Sequence, residues 1–268
     1  MPTVWTPLPL DEWRATCDTL HAHTQLLGKL AVALAPPEPE LQHAALRLTA
    51  RGWETAPLRA PNGSGAFVVA LDLREHVVLV EHSDGADHRV ELTPNRQVGQ
   101  VTRDVLGAVG RVAGPVRINP LPQEVPWSVP LDEDDLHQTY HPPHVAAYFN
   151  AATQAALVLT ALRAPYRGRS SPVNAWWGSF DLAVSLFSGR AADPPSADFI
   201  MRNSADAEQV EVGWWPGDDR HPNAAFRISH RRPPAGMATS VSTCSSGTTS
   251  SPIPTRIAWR WNSRAPLS

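Results

Sequence analysis

SSPVNAWWGSFDLAVSLFSGR, residues 170–190, decides how the chain is read. Two apolar runs, 173–177 and 180–187, flank a Gly-Ser pair. Both are short and rich in aromatic and β-branched residues, which predicts adjacent strands rather than a helix. Strand alternation puts Asn174 and Trp176 on one face, and Val173, Ala175 and Trp177 on the other. Gly178 allows a bulge that re-aims the residues after it. Ser179 and Asp181 then share a face. A carboxylate inside so apolar a run needs a partner. The backbone or Arg190 is the expected one. Ser179 and Asp181 do not form a nucleophilic dyad by themselves, because the sequence fixes no histidine base beside them. The stretch is expected to be a pair of core strands, one face of which borders a pocket.

The segments upstream are consistent with that. Asp11 follows Pro7 and Pro9 as an N-cap, with Glu12 in the first turn. Trp13, Cys17, Leu20, Thr24, Leu27, Ala31 and Leu34 recur at helical spacing until Pro36-Pro37 stops the helix. Residues 44–92 read as an antiparallel meander. It bends near Arg51-Gly52, turns at NGSG (62–65), at Arg74-Glu75 and at Asp84-Gly85, and has one buried face. A second helix runs from Val98, with Val101, Val105 and Val109 on its apolar side. A proline-punctuated stretch comes next, then a short acidic helix over 132–140. A third long helix starts at Pro142-Pro143. QVEVGWWPG and NAAFRIS supply two more strands. The fold class expected is α+β, with largely antiparallel sheet and about three long helices packed on it. A single domain covers 1–232, with possible halves at about 1–115 and 130–232, and 233–268 stand apart as a tail.

Composition narrows the function classes. The net charge of −3 favours neither nucleic acid nor an anionic membrane as partner. Lys29 is the only lysine among the 23 basic residues, a bias that fits a GC-rich genome. Two cysteines, Cys17 and Cys244, form no zinc or disulfide pattern. The first residues, MPTVWTPLPL, lack a signal-peptide pattern, and no apolar run approaches the ~18–20 residues of a membrane span. A cytoplasmic protein is expected.

LPLDEWRATCDTLHAHTQLLGKL, LTARGWETAPL, VPLDEDDLHQTYHP, the 170–190 stretch and EVGWWPGDDRHPNAAF together resemble an uncharacterised bacterial family, DUF5996. WGSFDLA…FSGR and WWPG are its most specific pieces, and the resemblance runs from about Trp5 to Phe226. It implies relatives rather than a reaction. It also implies three histidine-bearing positions that this chain lacks. A histidine is expected where Asn174 stands. Asn-His-Trp-Trp is expected near Pro39 to Gln42, and Ser-His-Glu near Asp206-Ala207-Glu208. An activity resting on those histidines would be lost here.

Beyond Phe226 the pattern changes. RRPPAGMATSVSTCSSGTTSSPIPTRIAWRWNSRAPLS has no usable periodicity, and its composition reads as a disordered Ser/Thr/Pro tail. Read one base earlier in GC-rich codons, TTSSPIPTRIAWRWNS becomes roughly Asp-Asp-Val-Val-Ala-Asp-Pro-Asp-Pro-Asp-Arg-Val-Ala-Leu-Glu-Leu. That is a capped amphipathic helix start, similar to how family members are expected to continue. A one-base deletion near codon 227 is therefore expected to have put the tail out of frame, removing a helix that closes the domain.

Several residues are candidates for chemistry. His21, Gln25 and Lys29 fall at i, i+4 and i+8 on the first helix and form one ridge. They either present an acid–base group, an amide and a cation to a ligand, or form a plain flank. His137, His141 and His144 have a metal-like spacing, but Pro142-Pro143 interrupts it, so no metal is expected. No phosphate-loop, dinucleotide or serine-elbow motif occurs, and no cofactor is implied. Two functions of different class stay open. One is a small-ligand-binding domain with a pocket lined by Trp176, Trp177 and Trp214, with Gln25, Lys29, Asn174 and Arg190 as its polar groups. The other is a hydrolytic or acid–base enzyme using His21, Lys29 and Asp181. A degraded copy without activity is the third reading.

Overall fold

A computed structural model describes residues 5, 8–231 and 244–245. The out-of-frame reading of the tail lies almost wholly outside them. The element order is α1 (Leu10–Leu34), a 3₁₀ segment (Pro39–Ala44), β1 (Arg47–Leu48), β2 (Gly52–Glu54), β3 (Leu58–Arg59), β4 (Ala66–Asp72), β5 (Val77–His82), β6 (Asp87–Glu91), α2 (Val98–Val112), α3 (Pro142–Arg163), β7 (Asn174–Trp176), β8 (Asp181–Ala191), α4 (Phe199–Ser204), β9 (Ala207–Trp215), β10 (Ala225–Arg231) and β11 (Cys244–Ser245). The protein is α+β, and the described residues form two wholly antiparallel sheets. The first has the order β1-β2-β4-β5-β6, with β3 also on β4. The second has the order β11-β10-β9-β8-β7. Leu46 and Ala175 join them by exchanging backbone hydrogen bonds of 3.0 and 2.9 Å.

Helix α1 is the centre of the molecule. Every residue from Ala22 to Ala31 is buried. It touches α2, α3, the first sheet and the 3₁₀ segment, so its stripe widens to a full circumference. The cost is a set of polar groups inside the protein: His23, Thr24, Gln25 and Lys29. α2 covers β5 and β6, while α3 lies on β8 and β9 and against α1, with Val145, Tyr148, Ala152 and Leu159 buried. One apolar core runs through both halves of the chain.

The local expectations need five corrections. Pro9, not Asp11, is the N-cap of α1, and no side chain caps it. The 132–140 segment is not a helix. Its Asp134 and His137 carbonyls accept from the free N–H groups of Gly99 and Val98 at the start of α2. The Asp134 carboxylate accepts from the Leu136 and His137 amides and meets His137 Nδ1 at 2.7 Å. Gly178 is not a bulge: β7 and β8 pair up to Trp176↔Asp181, and 177–180 form the turn between them. The register shift falls between Phe187 and Ala191 instead. The partner of Asp181 is Arg227, not Arg190. Finally, α3 is long and apolar enough to cross a membrane by length and composition alone, although one side of it packs on sheet.

Candidate functional site

The β7–β8 turn is held by what its two aromatic residues do. The Trp177 side chain enters the core against α1 at Gly28, where a Cβ would lie 2.1 Å from the indole. Its Nε1 donates to Ala44 O at 3.0 Å. Phe180 takes a left-handed φ of 55° and turns inward. Its ring stacks on His21, Trp53 and Tyr148, with centroids 4.8, 5.3 and 5.0 Å away. With both aromatics drawn inward, Gly178 and Ser179 are left at the apex.

The predicted ridge on α1 braces this turn. His21 Nε2 lies 2.9 Å from Trp177 O and 3.0 Å from Gly178 O, so that nitrogen carries the proton and donates. Burial pushes the imidazole down to about 4, so it stays neutral at pH 7. Gln25 donates to Gln123 O at 2.8 Å and to Trp177 O at 3.2 Å, and accepts from the Gln123 amide at 3.1 Å. Lys29 reaches Gln123 Oε1 at 3.4 Å and sits 5.4 Å from the centre of the Trp177 ring. Burial lowers its ammonium to about 8.

On the other side of the turn is a cavity of about 360 Å³. Its walls are the 3₁₀ segment, the turn and α4, and its floor is the face of β8, β9 and β10. Leu41, Trp176, Ile200 and Met201 are its large apolar lining residues. The floor is charged. Asp181 is 1% exposed and meets Arg227 at 2.6 Å, while Ser179 Oγ donates to its other oxygen at 2.5 Å. Glu211 is 3.9 Å from the same guanidinium. Burial and then the charge of Asp181 push the Glu211 carboxyl up, against the pull of Arg227 and of Ser185 and Ser229. Arg227 is raised, first by Asp181. Glu124 stands at the rim, with its carboxyl against Gly178, where a Cβ would come within 2.1 Å of Oε2. Loss of solvation there, then the charges of Asp181 and Asp198, push it up to about 7. Asp181 and Glu211 thus share one guanidinium, whose charge Glu124 also feels.

The backbone is strained around the same space. Six non-glycine residues among those described have positive φ. Glu40, Leu41 and Glu124 line the cavity, and Phe180 closes the turn beside it. Such conformations cost about 1–3 kcal/mol each and persist where the surroundings impose them. Glu40 is fixed by a two-pronged pair to Arg169, at 2.7 and 2.8 Å.

The predicted residues divide into three groups. Trp176, Trp177 and Asp181 reach the cavity. His21, Gln25 and Lys29 stand behind the turn as its braces. Trp214 is buried beside Tyr148, and Arg190 lies on the surface with Glu208 at 2.6 Å, so neither lines the cavity. Asn174 is buried next to the wall. It donates to Gln42 Oε1 at 3.0 Å and accepts from Arg47. Two of the three places where histidines were expected, 174 and 39–42, therefore meet beside the cavity. Sequence reasoning missed Glu124, Glu211, Arg227 and α4. Only α4 left a signal, the Asp198 cap, which accepts from the Ile200 and Met201 amides. Among the described residues no three His, Cys, Asp or Glu side chains converge as metal ligands.

The model described as "Family of unknown function (DUF5996)" matches residues 5–246. No curated protein and no solved structure matches.

Proposed function

We propose, for a chain that belongs to the family of unknown function DUF5996, that it binds a small organic molecule in the cavity between α4, the 3₁₀ segment and the second sheet. The observation that carries this reading is the cavity's two-sided chemistry. Leu41, Ile200 and Met201, on the 3₁₀ segment and α4, supply an apolar wall, and Trp176 stands beside Asp181 on a floor where Asp181, Glu211 and Arg227 converge. Apolar concavities with a few convergent polar groups are the usual form of small-molecule sites. The strained backbone of Glu40, Leu41 and Glu124 on its lining supports the same reading. Ligand-detected NMR with a small-molecule library tests it. Hits are expected on the full chain and are expected to weaken in Asp181→Asn. A library with no hit that responds to this change would refute the reading.

One observation favours acid–base chemistry as a second reading. Glu124, at about 7, lies across from Asp181, which is ion-paired to Arg227. Two carboxyl groups in such different surroundings suit an acid and its counterpart. This pair fits the role better than His21 and Lys29, whose polar atoms are turned to Trp177, Gly178 and Gln123. The loss of the expected histidines at 174 and 39–42 supports a copy without the family's activity.

A further inference from the structure

We infer that Gln25 is a positioning residue of this cavity, whose buried amide ties the Gln123–Glu124 segment to the Trp177–Gly178 turn and so sets where the Glu124 carboxyl stands. The inference rests on the cavity being the functional site, but its test needs no ligand.

The geometry is specific. Gln25 is fully buried, and its amide is used on both ends. Nε2 donates to the carbonyls of Gln123 and Trp177, which belong to segments 98 and 152 residues away. Oε1 accepts from the Gln123 amide. This two-way pairing holds Gln123 as a neighbouring strand would, and the next residue, Glu124, takes a φ of 60°. That bend delivers the Glu124 carboxyl to Gly178, which has no side chain to exclude it. Helix α1 therefore reaches the backbone beside Glu124 through a side chain that does not line the cavity. The charged groups facing Glu124 are Asp181 on β8, Asp198 at the start of α4, Glu211 on β9 and Arg227 on β10. Burial first, and then three acids against one base, push the carboxyl up to about 7 while it is seated there.

The test compares the full chain with Gln25→Met, which keeps the side chain's size and removes its hydrogen bonds, and with Leu26→Ala as a control for plain destabilisation. Carboxyl NMR follows the titration of Glu124, assigned by its loss in Glu124→Gln. In Gln25→Met the Glu124 midpoint is expected to fall by about one unit or more towards an ordinary carboxylate. Leu26→Ala is expected to lower stability and leave the midpoint alone. The Gln123 amide is expected to exchange slowly in the parent chain. Gly178→Ala, which pushes the carboxyl off the turn while leaving Gln25 in place, is expected to lower the same midpoint and shows that the midpoint reports where the carboxyl stands; Gln25→Leu repeats the test if Gln25→Met does not fold. An unmoved midpoint, an equal change in Leu26→Ala, or a Gln123 amide exchanging like open loop would each overturn the inference. A library without hits, beside a shifted midpoint, would instead overturn the binding reading alone.

Discussion

Trp177 lies against Gly28, so closely that a Cβ at residue 28 would stand 2.1 Å from the indole carbons. This contact seats the β7–β8 turn on the central helix, and the cavity is built on that turn. Gly28→Ala therefore sets two effects against each other. Helix propensity favours alanine by about 1 kcal/mol. Overpacking a filled core costs about 1–3 kcal/mol, and an overlap with a rigid ring belongs at the upper end. A net loss of stability is expected in denaturant titration, together with a change in tryptophan fluorescence. A more stable variant would show that the contact is loose.

Arg227→Met is expected to destabilise the protein by roughly 2–3 kcal/mol. Removing one member of a buried pair costs about 3–5 kcal/mol, and the partial exposure of Arg227 reduces that. Asp181 is left buried with only Ser179 as partner. The double variant Asp181→Asn/Arg227→Met is expected to regain part of the loss, because residue 181 no longer carries a buried unpaired charge. Equal losses in the single and double variants would contradict the pairing.

His23 predicts a pH dependence. It is 2% exposed, and burial pushes its imidazole down to about 4. The unfolded chain takes up this proton near pH 6.5, whereas the folded one refuses it until about 4. Its neutral burial therefore contributes fully above pH 6.5, and the contribution is lost as pH falls towards 4. In His23→Met the group is gone. The stability advantage of the parent over this variant is expected to shrink by about 3 kcal/mol between pH 7 and pH 4. Parallel curves would mean that His23 is solvated.

The out-of-frame reading of the tail is tested by sequencing the gene across codons 220–268 and downstream. One extra base near codon 227, restoring the Val-Val-Ala-Asp-Pro-Asp segment, is the expected result. An unbroken frame would contradict it. Because Arg227 sits at the joint, the same experiment decides whether the partner of Asp181 belongs to the repaired chain.

The α+β class and most elements could be read from periodicity and turn residues. Apolar spacing marks α1, α2 and α3, and Asp84-Gly85 marks its hairpin. The 132–140 segment misled because its carboxylates look like a helix start, while its carbonyls serve α2 instead. The site was only half legible. Trp176, Trp177 and Asp181 lie in one dense stretch that betrays them. Glu211 and Arg227 sit on separate strands and meet Asp181 only through strand pairing, which local sequence does not encode. Glu124 depends on a side-chain contact across 98 residues, between Gln25 and Gln123. The ridge on α1 was visible from its spacing, but the spacing does not say that it faces a turn rather than a ligand.

The central claim is that the cavity holds a small molecule, and blocking the cavity tests it most directly. Ser204 lines the space at the end of α4, so Ser204→Trp fills it from the wall opposite the charged floor. A thermal-shift screen of polar metabolites, run on the parent chain and on this variant, is the measurement. At least one compound is predicted to raise the parent's Tm in a saturable way and to leave the filled variant unmoved. Compounds that shift both proteins equally, or none that shifts the parent, would contradict the account.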